Sequence, residues 1–327
     1  MATNPRVLCL GEILFDLISD QPGVAYDAVT SWTAYPGGAP ANVACALAKL
    51  GTPTGFLGCV GTDQPGQELV QLLETIGVVT GGIQHHQTRP TRKIYVVRTA
   101  DGDRQFVGFG DRDTADFADT ALEADQLSSK MFGGVAYLVL GTLELPYEGT
   151  AQAIEKALTL AEQQQVKIVL DVNWRPMFWP QPDEAKPAVL ELVKRANILK
   201  LSDEEADWLF STTDPSAIAG QLPGVDVVLV TAGEKGCAYW ILGHQGERAA
   251  FRVAVEETTG AGDSFLAGFL HQLCRNGLMA MDDADAAQEA VAYACAVGAL
   301  TTMQPGAIAA QPTAAQVDSF LQAQKIS

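Results

Sequence analysis

The chain has 327 residues, of which 47% are hydrophobic and 18% are charged, and its formal net charge is −18. A chain of this length and composition builds a sizeable core, which excludes a disordered or fibrous protein. The chain has 39 acidic residues but only 21 basic ones, and no lysine or arginine cluster occurs. We therefore expect no nucleic acid and no membrane among its partners.

Short apolar segments alternate with amphipathic helical segments along most of the chain. The predicted buried strands are 6–11, 54–60, 134–140, 167–172, 197–201 and 226–231. The predicted helices between them are 40–50, 64–76, 147–164, 183–195 and 203–210. This order predicts an α/β fold with a mostly parallel central sheet, in a single domain over residues 1–327. Near the C-terminus, an alanine-rich helix at 282–303 should pack closely on a helix at 263–276, where Gly268 permits the approach.

Two segments break this alternation. Residues 24–36 and 91–109, approximately, have strand character without a following helix, and the second contains a turn at Asp101, Gly102 and Asp103. They form either a small β lid or an ordinary antiparallel edge of the main sheet. Because edge strands carry unpaired backbone groups, a homodimer that pairs through the lid is a further expectation.

The six cysteines are dispersed, mostly within apolar segments, and no C-x-x-C pair occurs. This spacing predicts reduced core thiols rather than disulfides or zinc ligands. Glu12 and Asp16 interrupt the first apolar run, so we expect no signal peptide, and no later segment is long and apolar enough to span a bilayer. Together these features predict a cytoplasmic protein.

The most informative segment is TTGAGDSFLAGF at 258–269, in which two glycines precede a predicted helix. Gly260 and Gly262 lack a Cβ, so their amides can turn toward an anion, and the helix N-terminus adds its dipole. A carboxylate at Asp263 would repel a phosphate here unless it receives a proton from the group that attacks that phosphate. From the residues alone, Asp263 is either an acidic helix cap or a general base.

A second glycine-rich segment, Gly37-Gly38-Ala39-Pro40-Ala41-Asn42, precedes the helix predicted at 40–50. Its glycines let the backbone approach a ligand closely, and the Asn42 amide can both donate to and accept from a hydroxyl group. Neither G-x-x-x-x-G-K-[ST] nor G-x-G-x-x-G occurs, so a P-loop and a Rossmann dinucleotide site are excluded.

In this order, these motifs resemble those of the ribokinase (pfkB-type) family of carbohydrate kinases over essentially the whole chain. The matching segments are GEILFD, GGAPANVACALAKLG, VGTDQPGQELVQLLETIGV, KLSDEEA, VTAGEKG and TTGAGDSFLAGF. DVNWRPMFWP (171–180), GTLELP (141–146) and GEILFDLI look most like the fructokinase branch. The resemblance implies a ribokinase-like three-layer sandwich with a β lid, and transfer of the γ-phosphoryl group of ATP to the 6-hydroxyl of fructose.

The resemblance also implies roles for individual residues. It implies that Asp263 is the general base and that the backbone amides of Gly260, Ala261 and Gly262 form an anion hole for the transferred phosphoryl group. The residues implied at the sugar are Asp16, Gly38, Asn42, Glu144, Asp171 and Arg175. Those implied at ATP are Lys200, Ser202, Glu205, Thr231, Gly233 and Gly236.

The resemblance implies Mg²⁺, on which Glu205 acts through water, and here Ser202 stands where the family has asparagine. It further implies a monovalent cation, such as potassium, near the anion hole. At that site Glu257, beside Thr259, replaces the usual aspartate with a longer side chain. Potassium is therefore a candidate cofactor only if Glu257 still supports the site.

The motifs leave open which substrate accepts the phosphoryl group. Kinases of 2-keto-3-deoxygluconate, ribose and nucleosides share the same motifs. Trp32, Trp174, Phe178 and Trp179 could stack on a base, whereas Arg175 suits a polyhydroxylated sugar better. A silent sugar-binding relative would be expected to lose Asp263 or the glycines, and this chain keeps them.

Overall fold

The computed structural model describes residues 4–100 and 104–326. The strands are β1 (Val7–Leu10), β2 (Leu14–Ser19), β3 (Trp32–Gly37), β4 (Thr54–Gly61), β5 (Val79–His86), β6 (Lys93–Arg98), β7 (Arg104–Gly108), β8 (Tyr137–Leu140), β9 (Lys167–Asp171), β10 (Ile198–Ser202), β11 (Val227–Thr231), β12 (Cys237–Ile241) and β13 (His244–Arg248). The α-helices are α1 (Ala39–Lys49), α2 (Gln64–Ile76), α3 (Glu148–Gln163), α4 (Ala185–Val193), α5 (Asp203–Phe210), α6 (Pro215–Gln221), α7 (Ala261–Asn276), α8 (Ala284–Thr301) and α9 (Ala314–Ile326).

Within the described residues, the larger sheet has nine strands in the order β13-β12-β11-β10-β9-β8-β1-β4-β5. In this order, every pair of neighbouring strands between β11 and β5 is parallel. Strand β12 pairs antiparallel with both β11 and β13. The predicted mostly parallel sheet is therefore confirmed. The carboxyl ends of parallel strands share one edge of the sheet, which is where ligands bind in open α/β folds.

Helices cover both faces of this sheet because its inner strands are apolar on both sides. In β1, Val7 and Cys9 belong to a core shared with α1, α2, α7 and α8, whereas Leu8 and Leu10 belong to a second core shared with α3 to α6. Two cores separated by one sheet make a three-layer sandwich, as expected.

A second sheet has four strands in the order β3-β2-β6-β7. The strand-rich segments at 24–36 and 91–109 thus belong to a separate small sheet, not to an edge of the main one. The first segment is strand only from Trp32, because Tyr26–Ala28 form a 3-10 turn whose Tyr26 ring packs on Trp32 and Tyr95. The turn predicted at 101–103 lies outside the described residues.

Helices α7 and α8 pack as predicted from their small residues. A Cβ on Gly268 of α7 would lie 2.8 Å from Val297 Cγ2 and 3.0 Å from Ala294 Cα, both in α8. Only glycine permits this approach, which fixes the position of α7 on the sheet and therefore of its N-terminus.

Several elements escaped the sequence analysis. These are β2, β5, β12, β13, α6 and α9. Strand β5 has the sequence VTGGIQHH, in which paired glycines and histidines obscure the alternation that marks a strand. None of the helices among the described residues is long and apolar enough to cross a bilayer.

Candidate active site

The site is built around the N-terminus of α7. Its N-cap residue Gly260 has the left-handed φ of 77°, and a Cβ there would lie 2.8 Å from the Cβ of Ala307. Both facts require glycine at this position. The first amides of a helix have no acceptor within it. The Ala261 amide donates to the Thr258 carbonyl at 3.2 Å, and the Gly262 amide follows it at the positive end of the helix dipole.

Asp263 lies in the first turn of α7 and is partly exposed. Its Oδ2 accepts a 2.8 Å hydrogen bond from Asn42 Nδ2, so the two glycine-rich motifs meet here. Burial raises the pKa of Asp263, while Lys200, the Asn42 hydrogen bond and Arg175 act to lower it. A carboxylate with a raised pKa is a stronger base, as the predicted role of Asp263 requires.

Lys200 and Asp171 form a buried ion pair behind the anion hole. The Lys200 Nζ donates to both carboxylate oxygens of Asp171 at 2.9 Å. A Cβ on Gly262 would lie 3.0 Å from the same Nζ, so glycine makes room for the ammonium group. Asp171 is 3% exposed, and its contact with Lys200 therefore differs from the predicted contact with sugar. In this structure Lys200 supports Asp263 and the anion hole electrostatically.

Asp16 and Gly38 lie where β2 and the start of α1 come together. Burial raises the pKa of Asp16 to about 6, and the nearby Arg104 charge opposes that shift. Gly38 has a φ of 106°, and a Cβ there would lie 2.5 Å from the carbonyl oxygen of Glu12. The glycine is thus required by packing as well as by its place beside Asn42.

Glu144, which is predicted at the sugar, is a buried side chain. It is 1% exposed and lies beside the equally buried carboxyl group of Glu12; Glu12 Oε2 and Glu144 Oε1 are buried without a hydrogen-bond partner among the described residues. Glu12 Oε1 also accepts a 2.7 Å hydrogen bond from the Ala39 amide at the start of α1. Burial raises the pKa of both carboxyl groups, to about 7 for Glu12 and well above its ordinary value for Glu144. Glu144 therefore supports the start of α1 from below.

Ser202 and Glu205 form a capping box at the start of α5. The Glu205 amide donates to Ser202 Oγ at 3.1 Å, and the Ser202 amide donates to Glu205 Oε2 at 2.8 Å. The serine that replaces the family's asparagine thus caps the helix as asparagine can. Glu205 Oε1 accepts a further 2.8 Å bond from the Trp174 amide, which ties α5 to the loop after β9.

The other residues predicted at ATP follow β11. The Thr231 hydroxyl donates to the Leu201 carbonyl at 3.2 Å, beside Ser202. Gly233 has a φ of 53°, and no atom lies within 4 Å of where its Cβ would be, so this backbone is open to a ligand. At Gly236 a Cβ would lie 2.0 Å from the Arg248 carbonyl oxygen in β13, so strand packing accounts for that glycine.

Arg175 is exposed, and its Nη1 donates to the Trp174 carbonyl at 3.2 Å. Its charge is among the influences that lower the pKa of Asp263. Its guanidinium therefore lies close enough to Asp263 to influence the base electrostatically.

Glu257 and Thr259 lie together, as expected for a cation site, but a side chain contacts both. Arg104 Nη1, from the first residue of β7, lies 2.5 Å from Glu257 Oε1 and 2.8 Å from Thr259 Oγ1. The sequence analysis assigned no role to Arg104 or to Glu12. Glu12 belongs to the GEILFD segment and Arg104 to the strand-like segment 91–109, yet neither position follows a pattern that indicates chemistry.

Comparison with known proteins identifies the family. The profile of the pfkB family carbohydrate kinases matches residues 4–314. A probable fructokinase-5 from Arabidopsis thaliana is 33% identical over 324 residues, covering 98% of each chain. Fructokinase-2 from Solanum habrochaites is 33% identical over 323 residues, covering 98% of this chain and 97% of the relative.

Solved structures agree with this result. Fructokinase from Xylella fastidiosa with bound ATP is 28% identical with a TM-score of 0.87, and 98% of each chain is covered. A putative ribokinase II from E. coli with ATP and Mg²⁺ is 27% identical with a TM-score of 0.85, covering 97% of this chain and 99% of that one. A double-mutant fructokinase from Vibrio cholerae O395 with fructose, ADP and a potassium ion is 27% identical with a TM-score of 0.81, covering 98% and 99%. With its motifs, its three layers and its small second sheet, the chain belongs to the pfkB family of carbohydrate kinases and has the ribokinase-like fold.

Proposed function

We propose that the chain is an ATP-dependent fructokinase, which transfers the γ-phosphoryl group of ATP to the 6-hydroxyl of fructose and gives fructose 6-phosphate and ADP. The fructokinase names of the Arabidopsis, Solanum and Xylella proteins support fructose as the acceptor. The observation that carries the proposal is the place of Asp263, in the first turn of α7 and hydrogen-bonded to Asn42.

Asp263 acts as the general base. Its carboxylate takes the proton of the attacking hydroxyl while that oxygen bonds to the γ-phosphorus. The bond from phosphorus to the bridging oxygen breaks at the same time, and ADP leaves. Because the transition state of phosphoryl transfer is loose, positioning and charge stabilisation contribute more than base strength does.

The anion hole stabilises the charge on the transferred group. The amides of Gly260 and Gly262, the dipole of α7 and the Ala261 amide, once it exchanges its 3.2 Å bond to the Thr258 carbonyl, supply this stabilisation. Lys200, held by Asp171 behind Gly262, adds a fixed positive charge on the same side.

The acceptor sugar binds on the other side of Asp263. Asn42 Oδ1 is buried and has no hydrogen-bond partner among the described residues, although Nδ2 is engaged with Asp263. A buried acceptor of this kind suits a sugar hydroxyl, which supplies the missing donor. Asp16 and Arg175 bind further hydroxyls, and Gly38 allows the ring to approach α1.

ATP binds along the ends of β10 and β11, with Thr231 and the open Gly233 backbone near its phosphates. Mg²⁺ accompanies ATP and neutralises charge on its phosphates when bound. Glu205 fits this ion through water, because each carboxylate oxygen keeps a lone pair beside the one that accepts from Ser202 or Trp174.

Two properties of the protein complete the proposal. The chain acts in the cytoplasm, which its six free cysteines support. It forms a homodimer through the lid, whose edge strands β3 and β7 each lack a second neighbour in the four-stranded sheet described.

The test is the relative kcat/KM for fructose, ribose, 2-keto-3-deoxygluconate and adenosine in a coupled ADP assay. We expect fructose to give the highest value. A higher value for ribose or 2-keto-3-deoxygluconate would move the assignment to another sugar kinase of the same fold. Absence of ATP-dependent turnover with all four would instead indicate a non-catalytic sugar-binding relative.

A further inference from the structure

Three segments of the chain meet beside the anion hole. The loop that leads into α7 contributes Glu257 and Thr259, the loop after α8 contributes Gly306, and the lid contributes Arg104. The Gly306 amide donates to Glu257 Oε2 at 2.9 Å, while Arg104 holds Oε1. One carboxylate therefore binds the lid on one side and the final loop on the other.

This junction is continuous with the anion hole. Glu257 is followed by Thr258, Thr259 and then Gly260, whose α-carbon packs against Ala307 of the same final loop. The amides of Glu256 and Glu257 also donate to the Thr302 carbonyl, at 2.8 and 3.2 Å. A change in the position of Glu257 would therefore move the adjoining backbone, which is proposed to bind the transferred phosphoryl group.

The residues present do not fit the monovalent cation that the family resemblance implies. A potassium ion needs several oxygen ligands, and here a guanidinium nitrogen lies between the two side chains that would supply them. Both oxygens of the Glu257 carboxylate already have partners, Oε1 in Arg104 and Oε2 in the Gly306 amide. Arg104 already neutralises that charge, and a second cation would be repelled.

We propose that Arg104 is a positioning residue of the kinase reaction, whose guanidinium supplies from the lid the positive charge that holds the loop before the anion hole. The proposal rests on the proposed phosphoryl transfer. Glutamate at position 257 is part of the arrangement, because its added methylene extends the carboxylate so that it reaches both Arg104 and Gly306. Turnover should then be independent of potassium and dependent on Arg104.

The experiment compares wild type, Arg104→Gln and Arg98→Gln in potassium chloride and in choline chloride at equal ionic strength. Arg98 is the matched control, since it is also a lid arginine but its Nε donates to Ser19 within the lid. We expect equal wild-type rates in both salts. Arg104→Gln should lose about tenfold or more in choline, the order of one charge-assisted hydrogen bond, and regain part of the rate in potassium. Arg98→Gln should show neither effect.

Wild-type turnover that requires potassium would overturn the proposal, as would an Arg104→Gln variant with the wild-type rate in choline. If that variant does not fold, Arg104→Lys decides the question, because lysine keeps a cation at this place. A lysine variant with more than about a tenth of the wild-type rate in choline supports the proposal, and a slower one contradicts it.

Thermal melting without substrates separates this inference from the proposed function. Potassium should raise the Tm of Arg104→Gln relative to choline while leaving that of wild type unchanged. This result would support the role of Arg104 at the loop even if no substrate were turned over, and equal Tm values of Arg104→Gln in the two salts would contradict it.

Discussion

Asn42 Nδ2 donates a 2.8 Å hydrogen bond to Asp263 Oδ2 and so joins two residues 221 positions apart in the chain. This bond brings the start of α1 against the start of α7. It also holds the candidate base in one orientation, with its polar partner facing the side where the acceptor is proposed to bind. The two glycine-rich motifs therefore act as one site.

Replacing Asn42 should change the titration of the base. The hydrogen bond from Asn42 lowers the pKa of Asp263, so Asn42→Ala should raise that pKa further. A base with a higher pKa is protonated at higher pH, and the acid limb of the kcat profile should move upward. An acid limb at the wild-type pH, measured with saturating sugar, would show that Asn42 does not influence the base.

Replacing Lys200 should destabilise the fold as well as the reaction. Lys200→Met leaves the Asp171 carboxylate buried without its partner, which typically costs about 3–5 kcal/mol in the free energy of unfolding. The double variant Asp171→Asn/Lys200→Met should recover much of that stability in urea unfolding. If the double variant is no more stable than Lys200→Met, the ion pair is not the cause of the loss.

The pair of Glu12 and Glu144 should make stability depend on pH. Burial raises the folded-state pKa of Glu12 from 4.5 to about 7, so the folded state holds more protons than the unfolded state between these values. The associated stability is present below pH 4.5 and is lost as the pH rises through about 7.

The pKa of Glu144 is also raised by burial, so Glu144→Gln removes the contribution of that carboxyl group and should make the decline shallower, each group contributing at most about 1.4 kcal/mol per pH unit. Urea unfolding at several pH values measures it, with the exposed Glu289→Gln as the control. The KM for fructose should stay near the wild-type value. A rise in that KM without a change in the pH dependence of stability would indicate that Glu144 contacts the sugar.

Replacing Arg175 tests the proposed binding of fructose. Arg175→Ala should raise the KM for fructose by about tenfold or more, because a hydrogen bond to a charged group contributes about 1.5–3 kcal/mol. The KM for ATP should change little, since only the acceptor loses a contact. A rise confined to the KM for ATP would place the guanidinium on the phosphate side instead.

The sequence predicts the parts of the site that are local in the chain. The glycines before α7, the capping residues of α5 and the close packing at Gly268 each follow from residue types a few positions apart. Contacts between distant segments leave no such pattern. Arg104 and Thr259 are 155 residues apart, and an arginine in a strand of the small sheet looks like any surface charge until the fold brings it to that loop.

The same limit explains the residues whose surroundings differ from expectation. Asp171 is the last residue of β9, and Glu144 follows the end of β8. Polar side chains at the carboxyl ends of parallel strands often face a ligand. Whether such a carboxylate faces the ligand or the interior depends on its partner. Lys200 and Glu12 are those partners, and each lies on a separate strand or loop.

The most direct test of the account is the turnover of Asp263→Asn with fructose and ATP, measured beside ATP binding by calorimetry. Asparagine keeps the shape of the side chain but cannot take up the hydroxyl proton. We expect ATP binding and folding close to wild type, with kcat lowered by about 10²-fold or more, as is typical when a general base is removed. A variant that keeps more than about a tenth of the wild-type kcat would contradict the assignment of Asp263 as the base.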